Sequence, residues 1–165
     1  TVPGVRFPEP QGAVVAQGLE RGDAVQRDDF EDVRRFPPGT TLAPQATLVV
    51  ATSATAFYDT YQRWPDFEIL ETATAVANLI DDPNWGDPAT FLQLGNSGDE
   101  ILLRNAQAQV VDAVVYGDGQ FPGTTACPLV TMIGAGLERT PYWRDTDDCA
   151  QDFREWPFPS PGTVP

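Results

Sequence analysis

The clearest pattern of apolar and polar positions lies in residues 94–118, "LGNSGDEILLRNAQAQVVDAVVYGD", where two apolar runs flank a polar centre. The first run covers residues 100–104, the second covers residues 110–116, and the "NAQAQ" between them reads as a turn. In the second run, alternate positions on both faces of a strand are mostly apolar. The pattern predicts a β-hairpin largely buried inside a sheet, with Asp112 as the one charged residue of its second strand.

Shorter segments predict further strands. The β-branched run "TLVVA" at residues 47–51 and "FEIL" at residues 67–70 are typical of short strands, and an edge strand is expected near residues 12–16. Turn-forming Pro and Gly recur about every ten residues, and neither a repeat nor a second domain is visible. These features predict a single all-β domain over residues 1–165.

One helix is predicted between residues 53 and 65. Ser53 or Thr55 supplies its N-terminal cap, and Pro65 ends it. Three aromatic residues fall near one face of this helix at spacings of four and three: Phe57, Tyr61 and Trp64. An aromatic stripe with this spacing predicts contact with the core rather than a ligand site.

Charge excludes two classes of partner. The chain has 24 acidic and ten basic residues, all ten of them Arg, with no Lys and no His, and its net charge is −14. Such a chain is repelled by nucleic acid and by anionic lipid. No apolar run approaches the ~20 residues that span a bilayer, so membrane insertion is not expected. The sequence begins at Thr1 without Met, which suggests a processed or truncated start.

Most catalytic chemistries lack their residues here. The absence of His and Lys excludes Ser-His-Asp, Cys-His and Lys-based nucleophiles. A pair of carboxylates could still hydrolyse a glycoside, and the candidates are Asp81, Asp82, Asp87, Asp99 and Glu100. Nothing in their order selects a pair, and charged loop residues usually form a solvated face. No catalytic residue and no cofactor are therefore predicted.

Calcium binding is a weaker alternative. The segment "DTDDCAQD" holds Asp145, Asp147 and Asp148, whose oxygens could chelate the ion. The spacing of an EF-hand is absent, and aspartates in such loops commonly cap helices or stabilise turns. The prediction is a capping or turn role and no metal site.

The two cysteines, Cys127 and Cys149, lie in a segment rich in Pro, Gly and Asp. A disulfide between them is the preferred interpretation. Two unrelated buried thiols remain an alternative, as does half of a zinc site, although no His is present to complete one. A disulfide would place the chain in an oxidising, extracytoplasmic compartment.

Four motifs in order resemble the lamin-tail domain, in the form found in bacterial secreted and surface proteins. They are "GDAVQRDDFEDVRRFPPGTTLAPQATLVVA", "AFYDTYQRWPDFEI", "LGNSGDEILLRNAQAQVVDAVVYGD", and "GLERTPYWRDTDDCAQDF" followed by "PSPG". The resemblance covers residues 22–162, with an irregular lead-in at 1–21 and a tail at 163–165. It implies an immunoglobulin-like β-sandwich with one short helix and a disulfide-tied C-terminal loop.

The resemblance also bears on Asp112 and on function. The family carries an Asp at this position as part of its scaffold, which makes Asp112 a structural carboxylate, and Arg139 is a plausible partner. Removing Asp112 is then expected to cost stability. Lamin-tail-like domains act as interaction modules, which implies a non-catalytic extracellular part that docks a protein partner or builds a cell-surface structure.

The chain departs from the family at its start, because the family's opening strand and its "EW.E..N" motif have no counterpart upstream of residue 22. The hairpin turn also has "NAQAQ" where the family tends to place Asp and Gly. A missing strand would expose a sheet edge near residues 12–16 or 47–51. A neighbouring subunit's Pro-rich end could fill that edge by strand addition, giving a homo-oligomer or filament. The alternative is a fragment whose first strand lies outside the sequence.

Overall fold

Ten short strands in three sheets make up most of the regular structure in the described part of the chain, as the sequence predicts. The computed structural model describes residues 14–17, 33–43, 46–82 and 94–163. Its strands are β1 (Val14–Gln17), β2 (Val33–Arg35), β3 (Val50–Ala51), β4 (Phe67–Glu68), β5 (Ala77–Asn78), β6 (Ile80–Asp81), β7 (Gly98–Arg104), β8 (Val110–Gly117), β9 (Gly136–Arg139) and β10 (Phe153–Trp156). The helices are α1 (Ala54–Tyr61) and α2 (Cys149–Asp152). The predicted predominance of β structure is confirmed, and α2 is a second helix that the sequence did not predict.

The largest sheet has the order β6-β2-β1-β7-β8, and all its neighbours are antiparallel. The β7–β8 pair is the predicted hairpin, in register from Gly98 opposite Gly117 to Leu103 opposite Asp112. Its turn is held by Asn105, whose side-chain Oδ1 accepts hydrogen bonds from the backbone N–H groups of Gln107 and Gln109. The hairpin is confirmed.

The burial predicted for β8 holds for only part of the strand. Val115 is fully buried, but 38% of Val110 and 49% of Val111 are exposed. Register between β7 and β8 shifts at Leu103 and Arg104, beside the turn. A local apolar pattern shows that the end of a strand is suited to burial. Whether another element covers that end depends on the rest of the chain.

Strand β1 lies inside the sheet, so its predicted edge position is wrong. Val14 pairs with Arg35 of β2 on one side and with Arg104 of β7 on the other. The strand falls within the lead-in at residues 1–21 that the sequence predicts to be irregular. The sequence of a four-residue strand does not determine how many other strands pair with it, because that number depends on long-range pairing.

The β3-β4-β5 sheet is parallel throughout, which the sequence did not predict. Parallel neighbours need a crossover connection, and α1 supplies it between β3 and β4. The helix begins where predicted, with the Ser53 side chain accepting a hydrogen bond from Ala56 N–H at 3.2 Å. It ends at Gln62, which adopts a left-handed conformation with φ of 54°.

The aromatic stripe of α1 is not the core contact that the spacing predicts. Trp64 lies beyond the helix and stacks on Tyr58 with ring centroids 4.4 Å apart, and it is 47% exposed. Phe57 pairs instead with Tyr61, which is 37% exposed. Ala54 is the buried residue of the helix. The rings pair with one another along the helix surface because the helix ends before Trp64 reaches the expected face.

Glu68 in β4 is fully buried and holds the start of α1 in place. Its Oε2 accepts hydrogen bonds from Ala54 N–H at 2.9 Å, and from the N–H and hydroxyl of Thr72 at 2.9 and 2.6 Å. Its Oε1 accepts from Ala73 N–H at 2.8 Å. Burial acts to raise the pKa of Glu68, but these hydrogen bonds outweigh it and lower the pKa from its ordinary value of 4.5.

The residues on either side of Glu68 in the sequence, Phe67 and Ile69, belong to the apolar core. Phe36, Phe67, Ile69 and Leu79 form one buried cluster, and the rings of Phe36 and Phe67 meet edge to face at 5.2 Å. Val33 and Leu102 form a second cluster within the large sheet. A charged side chain between β-strand residues of an apolar cluster is tolerated only when its oxygens are fully hydrogen-bonded, which Glu68 achieves.

The "LGNSGDE" and "YGDG" segments form a tight junction at the end of the hairpin. A Cβ atom at Gly98 would overlap Asp118, and one at Gly117, where φ is 61°, would overlap Ser97. The Tyr116 hydroxyl donates to the Gly95 carbonyl at 2.7 Å, and Asp99 accepts from Gly95 N–H at 2.7 Å. These motif residues join two loops, which accounts for their composition in structural terms.

The disulfide between Cys127 and Cys149 is present, as predicted. Cys127 bonds to the outer edge of β8, donating to Val115 O at 2.8 Å and accepting from Gly117 N–H at 2.9 Å. Cys149 is the first residue of α2, which leads into β10. The bridge therefore ties the large sheet to the β9–β10 ribbon. Neither helix in the described part of the chain is long and apolar enough to cross a membrane.

Replacing both Cys127 and Cys149 by Ser should lower the free energy of unfolding by about 3 kcal/mol, because the bridge closes a loop between residues 22 positions apart. Denaturant unfolding followed by tryptophan fluorescence measures this. Amide exchange at Gly117 and Cys127 should accelerate in the same variant. Unchanged stability and exchange would show that the bridge does not hold the ribbon against the sheet.

Glu68→Gln should lower the free energy of unfolding by about 2 kcal/mol at neutral pH, because an amide cannot accept from four donors with both of its polar atoms. The pKa of Glu68 is lowered in the folded state, so its stabilisation is present above pH 4.5 and is lost as pH falls below that value. The variant should accordingly lose less stability on acidification than the wild type. Glu71→Gln, at an exposed neighbour, is the matched control; equal pH profiles for both variants would contradict the assignment.

Candidate interaction site

Arg139 of β9 is the centre of a charged network that joins β8, β9 and α2. Its Nη1 lies 2.8 Å from Asp145 and its Nη2 lies 3.8 Å from Asp112. The guanidinium also lies over the Phe153 ring, 4.7 Å from the centroid. Arg139, which the sequence offered as a candidate partner without being able to pair it, does contact Asp112, and it is shared with two further acidic residues, Asp145 and Asp152.

Asp152 is the fully satisfied carboxylate of this network, and sequence analysis did not single it out. It is 1% exposed and accepts from the Thr146 N–H at 2.6 Å and from the Thr146 hydroxyl at 3.0 Å. Arg144 Nε lies 3.1 Å away. Burial acts to raise its pKa, but the Thr146 hydrogen bonds and the two arginines lower it overall. The Asp-Phe sequence at residues 152–153 of the closing motif was the signal by which Asp152 could have been identified.

Asp112 is held more loosely. Its side chain is 36% exposed, Arg139 lies 3.8 Å away, and a backbone hydrogen bond comes from Ala113. Burial raises the pKa of Asp112, Arg139 opposes that shift, and the charges of Asp145 and Asp147 add to it. The ionised carboxylate is therefore disfavoured in the folded state relative to water.

The acidic residues considered for hydrolysis are engaged in structural contacts wherever the structure describes them. Asp81 pairs with Arg34, and Asp82 pairs with Arg35 at 2.5 Å. Asp99 accepts backbone hydrogen bonds at both oxygens, and Glu100 accepts one from Gln120 N–H. Asp87 lies outside the described residues. The structure thus brings none of the four described carboxylates into a pair free for acid-base chemistry.

The Tyr116 hydroxyl is also held by structure. Burial raises its pKa to about 12, and the negative charges of Asp99 and Glu100 act in the same direction. The group stays protonated and donates to Gly95 O. It is a structural donor rather than a base or nucleophile.

The aspartates considered for calcium have the capping and turn roles that the sequence favours. Asp148 caps α2, accepting from Gln151 N–H at 3.3 Å, and Asp145 pairs with Arg139. Asp147 adopts a left-handed turn conformation, and its carbonyl accepts from Thr125 N–H. Within residues 33–43, 46–82 and 94–163, no three acidic or sulfur-bearing side chains converge as metal ligands would.

A cleft of about 300 Å³ runs along β9. Leu137, Glu138 and Arg139 line one side, and the C-terminal segment at residues 159–163 lines the other with Tyr142 near its mouth. Consecutive strand residues point to opposite faces, so their joint presence places the cleft at the edge of β9. Glu138 accepts from Ser160 N–H at 3.0 Å, which anchors the far wall.

Four large apolar side chains are exposed together at one end of the β9–β10 ribbon. Gly136, which opens β9, pairs with Trp156, which ends β10. The turn before Gly136 and the segment after Trp156 therefore leave the ribbon at the same end. The residues there are Met132, Ile133, Trp156 and Phe158, exposed by 48%, 107%, 49% and 79%. We call these four residues the apolar end.

The apolar end is fixed rather than loose. Glu155 of β10 accepts from Thr131 N–H at 2.9 Å and from Met132 N–H at 2.7 Å. The bond from Met132, with further bonds from Thr131, lowers the pKa of Glu155 despite partial desolvation. This carboxylate holds the turn that carries Met132 and Ile133 against β10.

Sequence analysis did not identify the apolar end. The run at residues 129–133 has no alternation, and "WPFPSP" places Pro after each aromatic residue. Proline cannot donate to a strand ladder, so Phe158 leaves the sheet with its side chain uncovered. Large apolar residues interleaved with Pro in a loop were the signal available.

Comparison of the chain with protein-family models, with curated proteins and with solved structures finds no match.

Asp112→Asn should leave the melting temperature unchanged or raise it at pH 7, contrary to the loss of stability expected from the sequence. The folded-state pKa of Asp112 is raised, so its ionisation opposes folding above its ordinary pKa of 3.8. The amide removes that charge, and the advantage should vanish as pH falls below 3.8. Thermal melts across this range measure the effect. A drop of several degrees at pH 7 would instead restore Asp112 as a scaffold carboxylate.

Proposed function

We propose that this chain is a non-catalytic interaction module that docks a protein partner, or a further copy of itself, through the apolar end. The observation that carries the proposal is the exposure of Met132, Ile133, Trp156 and Phe158 at the same end of the β9–β10 ribbon. Summed over the four side chains, the exposed surface is roughly 500 Å², and an accumulation of large exposed apolar side chains is typical of an interaction site.

The distribution of polar groups supports a binding role over a catalytic one. The described carboxylates with strong contacts are bonded to backbone amides or to arginines, as at Glu68 and Asp152. A catalytic carboxylate needs an oxygen available to substrate and a pKa suited to proton transfer. The pKa values of both residues are lowered by their partners, away from the range that a general acid needs.

The finer assignment is an immunoglobulin-like sandwich of the lamin-tail type, in an extracellular or cell-surface protein. Its support is the pairing of β7 with β8, because these two strands carry most of "LGNSGDEILLRNAQAQVVDAVVYGD", one of the four motifs on which the resemblance rests. The disulfide supports an oxidising compartment. Self-assembly into a homo-oligomer or filament is one form of the proposed docking.

Selection of binders from a displayed library of random peptides tests the proposal. Peptides enriched on the wild-type chain should lose binding to the double variant Ile133→Ser with Phe158→Ser, because contact with a rigid apolar patch supplies the affinity. The matched control replaces two exposed leucines elsewhere, Leu70→Ser with Leu94→Ser, and should retain binding.

Both double variants should keep the wild-type melting temperature, since they change exposed side chains. Binders that depend equally on the two leucine positions, or a library that yields no binder dependent on Ile133 and Phe158, would refute the apolar end as the interaction site. Light scattering on the same proteins shows whether a second copy occupies it.

A further inference from the structure

We propose that the outer edge of β10 receives an extended, cationic segment of a partner protein as an added strand. This inference rests on the proposed function and specifies how the partner is held beside the apolar end. It concerns Glu155 and Trp156, whose backbone and side chains together define what such a strand must carry.

The hydrogen-bond pattern of the ribbon shows which groups of β10 face outward. Thr140 N–H donates to Asp152 O at 2.7 Å, so the Thr140 and Asp152 positions form a hydrogen-bonded pair. Such pairs alternate along an antiparallel ladder. With Arg154 opposite Glu138 and Trp156 opposite Gly136, Arg154 and Trp156 bond to β9 and Glu155 directs its N–H and C=O away from it.

In the described part of the chain, the free groups of this outward edge lie at Glu155, because Phe153 N–H already donates to Cys149 O and Pro157 has no N–H. Within the described part of the chain, no group pairs with the backbone N–H or C=O of Glu155. The other edge of the ribbon borders the cleft walled by the C-terminal segment. Unpaired strand edges accept extended segments through main-chain hydrogen bonds, while side-chain pockets select the sequence.

Charge decides the chemistry of the occupant. The neutral donors of Thr131 and Met132 hold the Glu155 carboxylate without neutralising it. Arg139, which lies on the same face of the ribbon, is already shared among Asp112, Asp145 and Asp152. A Lys or Arg opposite Glu155 would supply the missing positive charge, and the net charge of −14 would speed its approach.

We expect apolar residues in the partner segment at the positions next to its Lys or Arg. Trp156 lies on the opposite face of the strand from Glu155 and belongs to the exposed apolar end. A β-branched or aromatic residue opposite Trp156 would cover part of it. The predicted segment therefore alternates cationic and apolar residues.

A second copy of β10 fits this edge poorly. Outward-facing positions must pair with outward-facing positions in a regular ladder. The two antiparallel self-pairings that overlap best then place Glu155 opposite Glu155 or Arg154 opposite Arg154. Directly opposed like charges destabilise a strand pair, and the net charge of −14 on each copy adds repulsion. A cationic partner avoids both costs.

Titration of the full chain with a synthetic peptide of alternating Val and Lys tests this inference. The peptide should bind and should slow amide exchange at Glu155. Methylation of the Lys backbone nitrogens should abolish binding because those amides face β10, whereas methylation of the Val nitrogens, which face away, should leave it intact. A peptide of alternating Val and Glu should not bind.

Two isosteric variants separate the site from general attraction between opposite charges. Glu155→Gln should weaken binding about tenfold, whereas Glu138→Gln, which removes the same charge from β9, should change it less than twofold. The side-chain amide introduced by Glu155→Gln keeps an oxygen for Met132 N–H, and thermal melts check that both variants fold.

Equal effects of the two variants, or binding that survives methylation at Lys, would overturn strand addition and leave only non-specific attraction. So would protection of Glu155 N–H in a dimer formed without peptide, which would assign the edge to a second copy. If the peptide fails while library binders still require Ile133 and Phe158, the proposed function stands and the added strand is wrong.

Discussion

The buried carboxylate of Glu68 is the interaction on which the arrangement of β3, α1 and β4 depends. Two short parallel strands hold each other with few hydrogen bonds, so the crossover helix must be fixed by something else. Glu68 does this by accepting from the first turn of α1 and from residues 72 and 73 at once. The same arrangement is found at Asp152 and Glu155, where a carboxylate accepts hydrogen bonds from the backbone N–H groups of a loop. A chain with no Lys uses main-chain donors and arginine to satisfy its acidic residues.

Sequence analysis succeeded where the signal was local. The β7–β8 hairpin was predicted because apolar alternation around a polar turn depends on neighbouring residues alone. The Ser53 cap was predicted because a cap bonds within its own first turn. Cys127 and Cys149 had only each other as sulfur partners, so composition sufficed. One of the four motifs quoted for the lamin-tail resemblance falls on β7 and β8, although the sandwich itself stays a prediction.

It failed where the answer depended on distant parts of the chain. The interior position of β1 requires β2 and β7 as neighbours, and no four-residue window contains that information. The roles of Glu68 and Asp152 depend on donors that folding brings together from loops. For the same reason, the start of β8 and the aromatic residues of α1 were predicted to be buried and are partly exposed. The apolar end was missed because composition does not report which large side chains are left uncovered.

In the proposed docking, the net negative charge and the apolar end would act at different distances from the partner. Charge attracts a cationic chain from beyond contact distance but fades within about 8 Å at physiological salt. The apolar end has no such reach, and it contributes only once water is displaced from Trp156 and its neighbours. Free backbone groups at Glu155 fix direction and register, which neither of the other two can do. Under the proposal, acidic charge would also oppose pairing of this edge with the same edge of another copy. An exposed edge beside apolar side chains would ordinarily promote aggregation, and under the proposal a net charge of one sign would favour a partner of the opposite charge.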